Sequence, residues 1–135
     1  MLDENPVFAI LTRIQPQSVP ASAAPFSQVV LDDHYAFLAG LVAADFPAGL
    51  EVLGDVAAET HAVLNTIGNI LDELQLSKDR MVKVEVHLAD LDDFDAMDAA
   101  YREFFDGNAH PARTTTESKR LFGDSKVEIT CQVRR

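Results

Sequence analysis

Met81-Val82-Lys83-Val84-Glu85-Val86-His87-Leu88 alternates apolar and polar residues, and the period changes just after it. In an extended chain Val82, Val84, Val86 and Leu88 point one way, while Lys83, Glu85 and His87 point the other. From about Asp92 to Phe105 the apolar residues Phe94, Met97, Tyr101, Phe104 and Phe105 recur at helical spacing and form one stripe. A strand with one apolar face that leads directly into an amphipathic helix predicts a sheet with that helix packed on it. Asp106-Gly107-Asn108 supplies the stop signal for the helix.

Working outward, the segment from Asp55 to Leu74 predicts a second helix. Asp55 suits the N-cap after Gly54, and Val56, Thr60, Val63, Ile67, Ile70, Leu71 and Leu74 share a face. Gly68 lies inside it at a cost of about 1 kcal/mol relative to Ala. Upstream, Ser27 to Leu31 and Tyr35 to Ala39 read as strands joined by an Asp32-Asp33-His34 turn. The stretch from Gln15 to Ala24 holds two Pro, two Ser and three Ala and reads as a loop, with a strand over Val7 to Ile14 before it. Downstream, His110 to Ser118 and Lys126 to Arg134 read as strands. In the latter, Val127, Ile129, Cys131 and Val133 share a face, and Glu128, Thr130 and Gln132 take the other. The predicted order is β-β-β-α-β-α-β-β. It describes one α+β domain over 1–135, with about six strands and both helices packed on one face of the sheet. The opposite face carries Lys83, Glu85, His87, Glu128, Thr130 and Gln132. It is either wet or in contact with another subunit.

Composition narrows the function. The chain has 135 residues, 47% apolar and 24% charged, the balance of a globular domain. Lys and Arg number 11 against 22 Asp and Glu, giving a net charge of −11 that repels phosphate backbones and anionic lipid. Nucleic acid and membrane are therefore not expected partners. No apolar run approaches the ~18 residues of a spanning helix. Met1-Leu2-Asp3-Glu4-Asn5 lacks the basic start and apolar stretch of a secretory leader, so a cytoplasmic protein is expected. The single Cys excludes an intrachain disulfide and a Cys-based zinc site.

Familiar catalytic motifs are missing: no Gly-rich phosphate loop, no nucleophile elbow, no helical His pair. The four His are scattered and suit surface or hydrogen-bonding roles. Cys131 alternates with core positions and reads as a small buried residue. Asp90, Asp92, Asp93 and Asp95 fall at a helix start, where carboxylates cap free amides, and this reading is preferred to a metal site. Two residues stand apart. Arg113 follows Pro111-Ala112 at the start of a strand, and Glu128 sits mid-strand on the polar face. On spacing alone an ion pair or solvated charges would explain both.

His110-Pro111-Ala112-Arg113-Thr114-Thr115 resembles the Pro-Ala-Arg-Ser signature of the RidA/YjgF family of imine and enamine deaminases. Ala24-Pro25-Phe26-Ser27-Gln28 resembles that family's Gly-Pro-Tyr-x-Gln, and Leu38-Ala39-Gly40-Leu41 is placed like its Thr-Ser-Gly-Gln. Gly54-Asp55-Val56, Val82 to Val86, Asp90 to Phe94, Tyr101 to Phe105 and Lys126 to Ile129 resemble further family blocks, so the likeness covers most of the chain. The resemblance implies a chorismate-mutase-like subunit in a homotrimer, with ligand clefts between subunits. It implies that Arg113 holds a substrate carboxylate, that Glu128 positions or activates water, and that Phe26, Gly40, Leu41 and Thr115 contact substrate. The implied substrate is a small 2-imino or 2-enamino acid, hydrolysed to a 2-keto acid and ammonia. Neither metal nor cofactor is implied, because a protonated imine is itself electrophilic.

Both implied roles make physical sense. A planar guanidinium grips a carboxylate through two parallel charge-assisted hydrogen bonds. Holding it places the adjacent C=N carbon, and a nearby carboxylate can take a proton from attacking water. The alternative is a non-catalytic trimer that binds a small carboxylate metabolite. Some positions depart from the family pattern: Phe26 for Tyr, Ala39 and Leu41 for Ser and Gln, Thr115 for Cys, and Asp98 for Asn. With Phe26 and Leu41 at the ligand, the cleft is expected to be more apolar and to favour imino acids with longer apolar side chains.

Overall fold

A computed structural model describes residues 10–105, 107 and 109–135. Six strands form one mixed sheet: β1 (Thr12–Ile14), β2 (Val29–Leu31), β3 (Tyr35–Val42), β4 (Met81–Leu88), β5 (Ala112–Glu117) and β6 (Val127–Arg134). Their spatial order is β1-β2-β3-β6-β4-β5. Only the β4–β5 pair is parallel, and it is joined through a helix as a parallel pair requires. The helices are a single turn, α1 (Pro47–Leu50), then α2 (Val56–Glu73) and α3 (Phe94–Phe104). The single turn was not anticipated: Pro47 sets its first residue, and it stops after four. Of the strand expected over Val7 to Ile14, positions 7–9 lie outside the described residues, as does the Met1–Asn5 segment, and Thr12–Ile14 is strand. In the expected Asp106-Gly107-Asn108 stop, Gly107 has φ +68°, and its two neighbours lie outside the described residues.

Local chemistry accounts for the element ends. Asp32 turns the β2–β3 hairpin by accepting from the amides of His34 and Tyr35, each at 2.7 Å. The Asp55 carboxylate accepts from the Ala58 amide at 3.1 Å and caps α2. Asp90 accepts from the Asp92 amide at 2.9 Å ahead of α3, which is the capping role read for the acidic run. Among the described residues no group of His, Cys, Asp and Glu is placed to hold a metal ion. Nor, among them, is any helix long and apolar enough to cross a membrane.

The core lies between α2, α3 and the sheet face formed by Leu38, Leu41, Val84, Val86, Ile129 and Cys131. Val82 does not join it. The β4–β6 register shifts between Met81 and Lys83, so Met81 faces Val133 in the core and Val82 is left 40% exposed. One extra residue in a strand reverses the parity of everything before it. Gly68 faces Phe104 on the neighbouring helix, where an added Cβ would meet the ring at 3.5 Å, an ordinary contact.

Glu59 is the unexpected polar member of the core. It is fully buried, and its two carboxylate oxygens accept from the Gly54 amide at 2.7 Å and the Lys126 amide at 2.8 Å. It thereby ties the start of α2 to the first turn of chain before β6. Glu59→Ala would orphan both amides, and each buried unsatisfied donor costs about 1–3 kcal/mol. Urea denaturation should show a loss of about 2–5 kcal/mol for Glu59→Ala and a smaller loss for Glu59→Gln, which keeps one acceptor oxygen.

Candidate functional site

Strand parity separates the two charged candidates. Arg113 pairs in register with Val84, and Val84 with Cys131, so all three point to the helix-covered face. Glu128 is three residues from Cys131 on regular strand β6 and lies opposite His87, on the open face. Within the chain the two side chains therefore occupy different clefts.

On the open face, a cleft of about 660 Å³ is bounded by Glu128, Gly40, Phe26, Gln28, Asp45 and Phe122, with the loop after β1 as its outer wall. Glu73 fixes that loop by accepting from the Gln17 amide at 2.8 Å and the Ser18 amide at 3.0 Å. The Ser18 hydroxyl, followed by these amides, holds the Glu73 carboxyl below the ordinary range. The cleft depends on an irregularity in β3. Leu38 pairs with Cys131 and Leu41 with Ile129, so the extra residue between them leaves Gly40 toward the open face. The Glu128 carboxylate lies against it: a Cβ at position 40 would stand 2.8 Å from Oε2 and 3.1 Å from Thr130 Oγ1. Glu128 has neither a side-chain hydrogen bond nor an ion pair among the described residues. Asp45, by contrast, is engaged by the Val42 amide at 3.0 Å.

The same bulge corrects one expected contact. Leu41 is 1% exposed and packs in the core, because the extra residue returns it to the helix side opposite Ile129. It does not line the cleft. Phe26 does, at 54% exposure, so the apolar wall is smaller than Phe26 and Leu41 together would make it. Thr115 lies on β5 in register with Val86, on the same face as Arg113 and away from Glu128.

Arg113 is held from three sides by α3. Its Nη1 lies 2.8 Å from Asp98 Oδ1. Its Cζ is 4.6 Å from the centre of the Tyr101 ring and 5.5 Å from that of Phe94. These contacts fix the plane of the guanidinium. The smaller cleft here, about 220 Å³, also includes Arg102, His110 and Pro111. Tyr101 is 5% exposed, its hydroxyl has no hydrogen-bond partner among the described residues, and burial raises its pKa to about 12. Phe94, Asp98 and Tyr101 stand four and three residues apart, which places them on one helix face. Sequence reading took the aromatics as core stripe and missed their contact with Arg113. The available signal was the acidic Asp98 within that stripe.

Fold and site together define a class: a small α+β domain with a guanidinium on its edge strand and a carboxylate on its polar sheet face. The chain belongs to the family described as Endoribonuclease L-PSP, which includes the RidA/YjgF proteins and whose profile matches residues 16–134. A RutC family protein of Synechocystis is 36% identical over 120 residues, covering 87% of this chain and 92% of its own. The 2-iminobutanoate/2-iminopropanoate deaminase of Homo sapiens is 33% identical over 116 residues, 86% of this chain and 84% of its own. The solved structure of E. coli TdcF with bound serine matches with a TM-score of 0.80 and 26% identity, over 92% of this chain and 98% of that one.

Cys131 is buried in the core, and burial pushes its thiol up to about 12. The unfolded chain ionises a thiol near about 8.5, so above that pH it releases a proton that the folded chain retains. The stability this contributes is present below about pH 8.5 and is lost as pH rises toward 12. Urea denaturation should show stability falling by up to about 1.4 kcal/mol per pH unit between roughly pH 9 and 10. Cys131→Ala should flatten that slope, because Tyr101 begins to contribute only near its own ordinary value.

Proposed function

We propose that the chain hydrolyses small 2-imino acids, and their 2-enamino tautomers, to 2-keto acids and ammonia. In this reading one subunit supplies Arg113 and a neighbouring copy supplies Glu128. The observation that carries it is the Glu128 carboxylate, unpartnered among the described residues in an open cleft. A site built only to hold an anion gains nothing from a second, unneutralised carboxylate, whereas a site that activates water needs one. The names of curated relatives support the same reaction class. The opposed facing of Arg113 and Glu128 supports a site shared between copies of the chain, and the family resemblance implies that these copies form a homotrimer with polar sheet faces toward the centre. A nuclease activity fits poorly with a net charge of −11.

The chemistry balances without a further reactant. Arg113 takes the substrate carboxylate on the guanidinium edge away from Asp98 and so fixes the neighbouring C=N carbon. Water adds to that carbon as Glu128 accepts its proton. That proton passes to the nitrogen of the protonated imine's adduct, the C–N bond breaks to release ammonia, and the hydroxyl proton passes to the Glu128 carboxylate as the C=O forms. One observation favours the second reading, a non-catalytic carboxylate binder: TdcF was solved with bound serine, a small amino acid.

The test is ammonia release from freshly generated 2-iminobutanoate. Arg113→Ala should lose most activity and carboxylate binding, and Arg113→Lys should rescue little because it lacks the planar fork. Glu128→Gln should retain binding while turnover falls about 10²–10⁴-fold. A wild-type chain that binds the keto acid but releases no ammonia would favour the binder. Gly40→Ala provides an independent check on the geometry. Its Cβ would meet the mobile end of Glu128, so the fold should persist with a loss near the lower end of ~1–3 kcal/mol while turnover falls.

A further inference from the structure

Asp98 faces two arginines. Its Oδ1 lies 2.8 Å from Nη1 of Arg113, and its Oδ2 lies 3.1 Å from Nη2 of Arg102. The two cations differ in environment. The Arg102 side chain is 72% exposed and screened by water, whereas that of Arg113 is 22% exposed and set against the Phe94 and Tyr101 rings. The charge of Asp98 therefore acts mainly on Arg113. A guanidinium paired on one edge presents an incoming carboxylate with its other edge. That carboxylate then lies roughly 5–6 Å from the like charge of Asp98, where repulsion in a partly buried site is worth about tenfold in binding.

We propose that Asp98 is a specificity-determining residue: it weakens the hold of Arg113 on a ligand carboxylate and narrows the advantage of anionic ligands over neutral ones. It acts on substrate and keto-acid product alike, because both carry the carboxylate, and so it also favours product release. The inference rests on the reading of Arg113 as the carboxylate holder. Asp98 is a positioning residue as well as a charge, since it also contributes to the orientation of the guanidinium, and the test must separate these effects. Asp98→Asn keeps the shape and leaves a carbonyl oxygen toward Arg113 while removing the charge. Asp98→Ser removes the charge with a smaller side chain, and guards against a fold defect peculiar to the amide.

The experiment is calorimetric titration of the wild type, both variants and Arg113→Ala with 2-oxobutanoate and with its uncharged primary amide. In Asp98→Asn the Kd for 2-oxobutanoate should fall about tenfold, the Kd for the amide should stay in place, and KM for the imino acid should fall without a rise in kcat. Asp98→Ser should shift the anion in the same direction. Unchanged or weaker binding of 2-oxobutanoate in both folded variants overturns the inference. Equal shifts for anion and amide also overturn it, because they indicate an effect of shape and not of charge. If wild type binds 2-oxobutanoate no better than Arg113→Ala does, the carboxylate reading of Arg113 fails and this inference falls with it. If Arg113→Ala abolishes anion binding but the Asp98 variants gain nothing, this inference alone fails.

Discussion

Side chains alternate across a β-strand, and that parity governs which charged side chains share a face in this protein. Strand β6 is central, paired with β3 on one side and β4 on the other. Its odd-numbered residues from Val127 to Val133 build the core, so Glu128 must face away from the helices. Arg113 sits on edge strand β5 with the opposite facing, turned toward α3. Glu128 cannot change sides without a register slip that would expose the core valines and isoleucine of β6. The facing of Glu128 is therefore built into the hydrophobic pattern of β6, while that of Arg113 rests on its pairing with β4 and its contacts with α3. The proposed site, which uses both, therefore takes one of them from another copy of the chain.

Each half is separately prepared. Glu59 anchors the chain just before β6 through the Lys126 amide, two residues from Glu128. The β3 bulge leaves a glycine where a side chain would occupy the place of the Glu128 carboxylate. On the other half, α3 supplies a carboxylate and two rings to Arg113, so the guanidinium is oriented before any ligand arrives. Preorganisation of this kind lowers the ordering cost of binding. The Glu128 half depends on elements distant in sequence, the Arg113 half on the helix that immediately precedes its strand.

Much of this was legible in the chain. The alternation in β4 and β6, the Asp32 turn, the Asp55 cap and the stripe of α3 follow from local periodicity and hydrogen-bonding chemistry, and so did the α+β class. Val82 was read on the core face and Leu41 was expected at the ligand, and a bulge overturns each. A bulge is a mismatch between two strands, and the period of either strand alone does not reveal it. The motif blocks pointed to Arg113, Glu128, Phe26 and Gly40, of which the last three line one cleft and Arg113 another. The cradle around Arg113 was hidden because Phe94 and Tyr101 satisfy the helix stripe whether or not a cation lies over them. Glu59 was hidden because a glutamate in a helix is ordinarily a solvated residue, and its two amide partners lie in other segments.

The most direct test of a site shared between copies is subunit complementation. Arg113→Ala and Glu128→Gln chains, each inactive alone, are unfolded together in equal amounts, refolded and assayed for ammonia release from 2-iminobutanoate. In a closed ring each site takes Arg113 from one copy and Glu128 from the next, so random mixing should restore about one quarter of the wild-type activity per site. If both residues serve a site within one chain, every subunit in the mixture carries a defect. Activity that stays at the level of the separate variants, in a mixture shown to have exchanged subunits, would contradict the shared site.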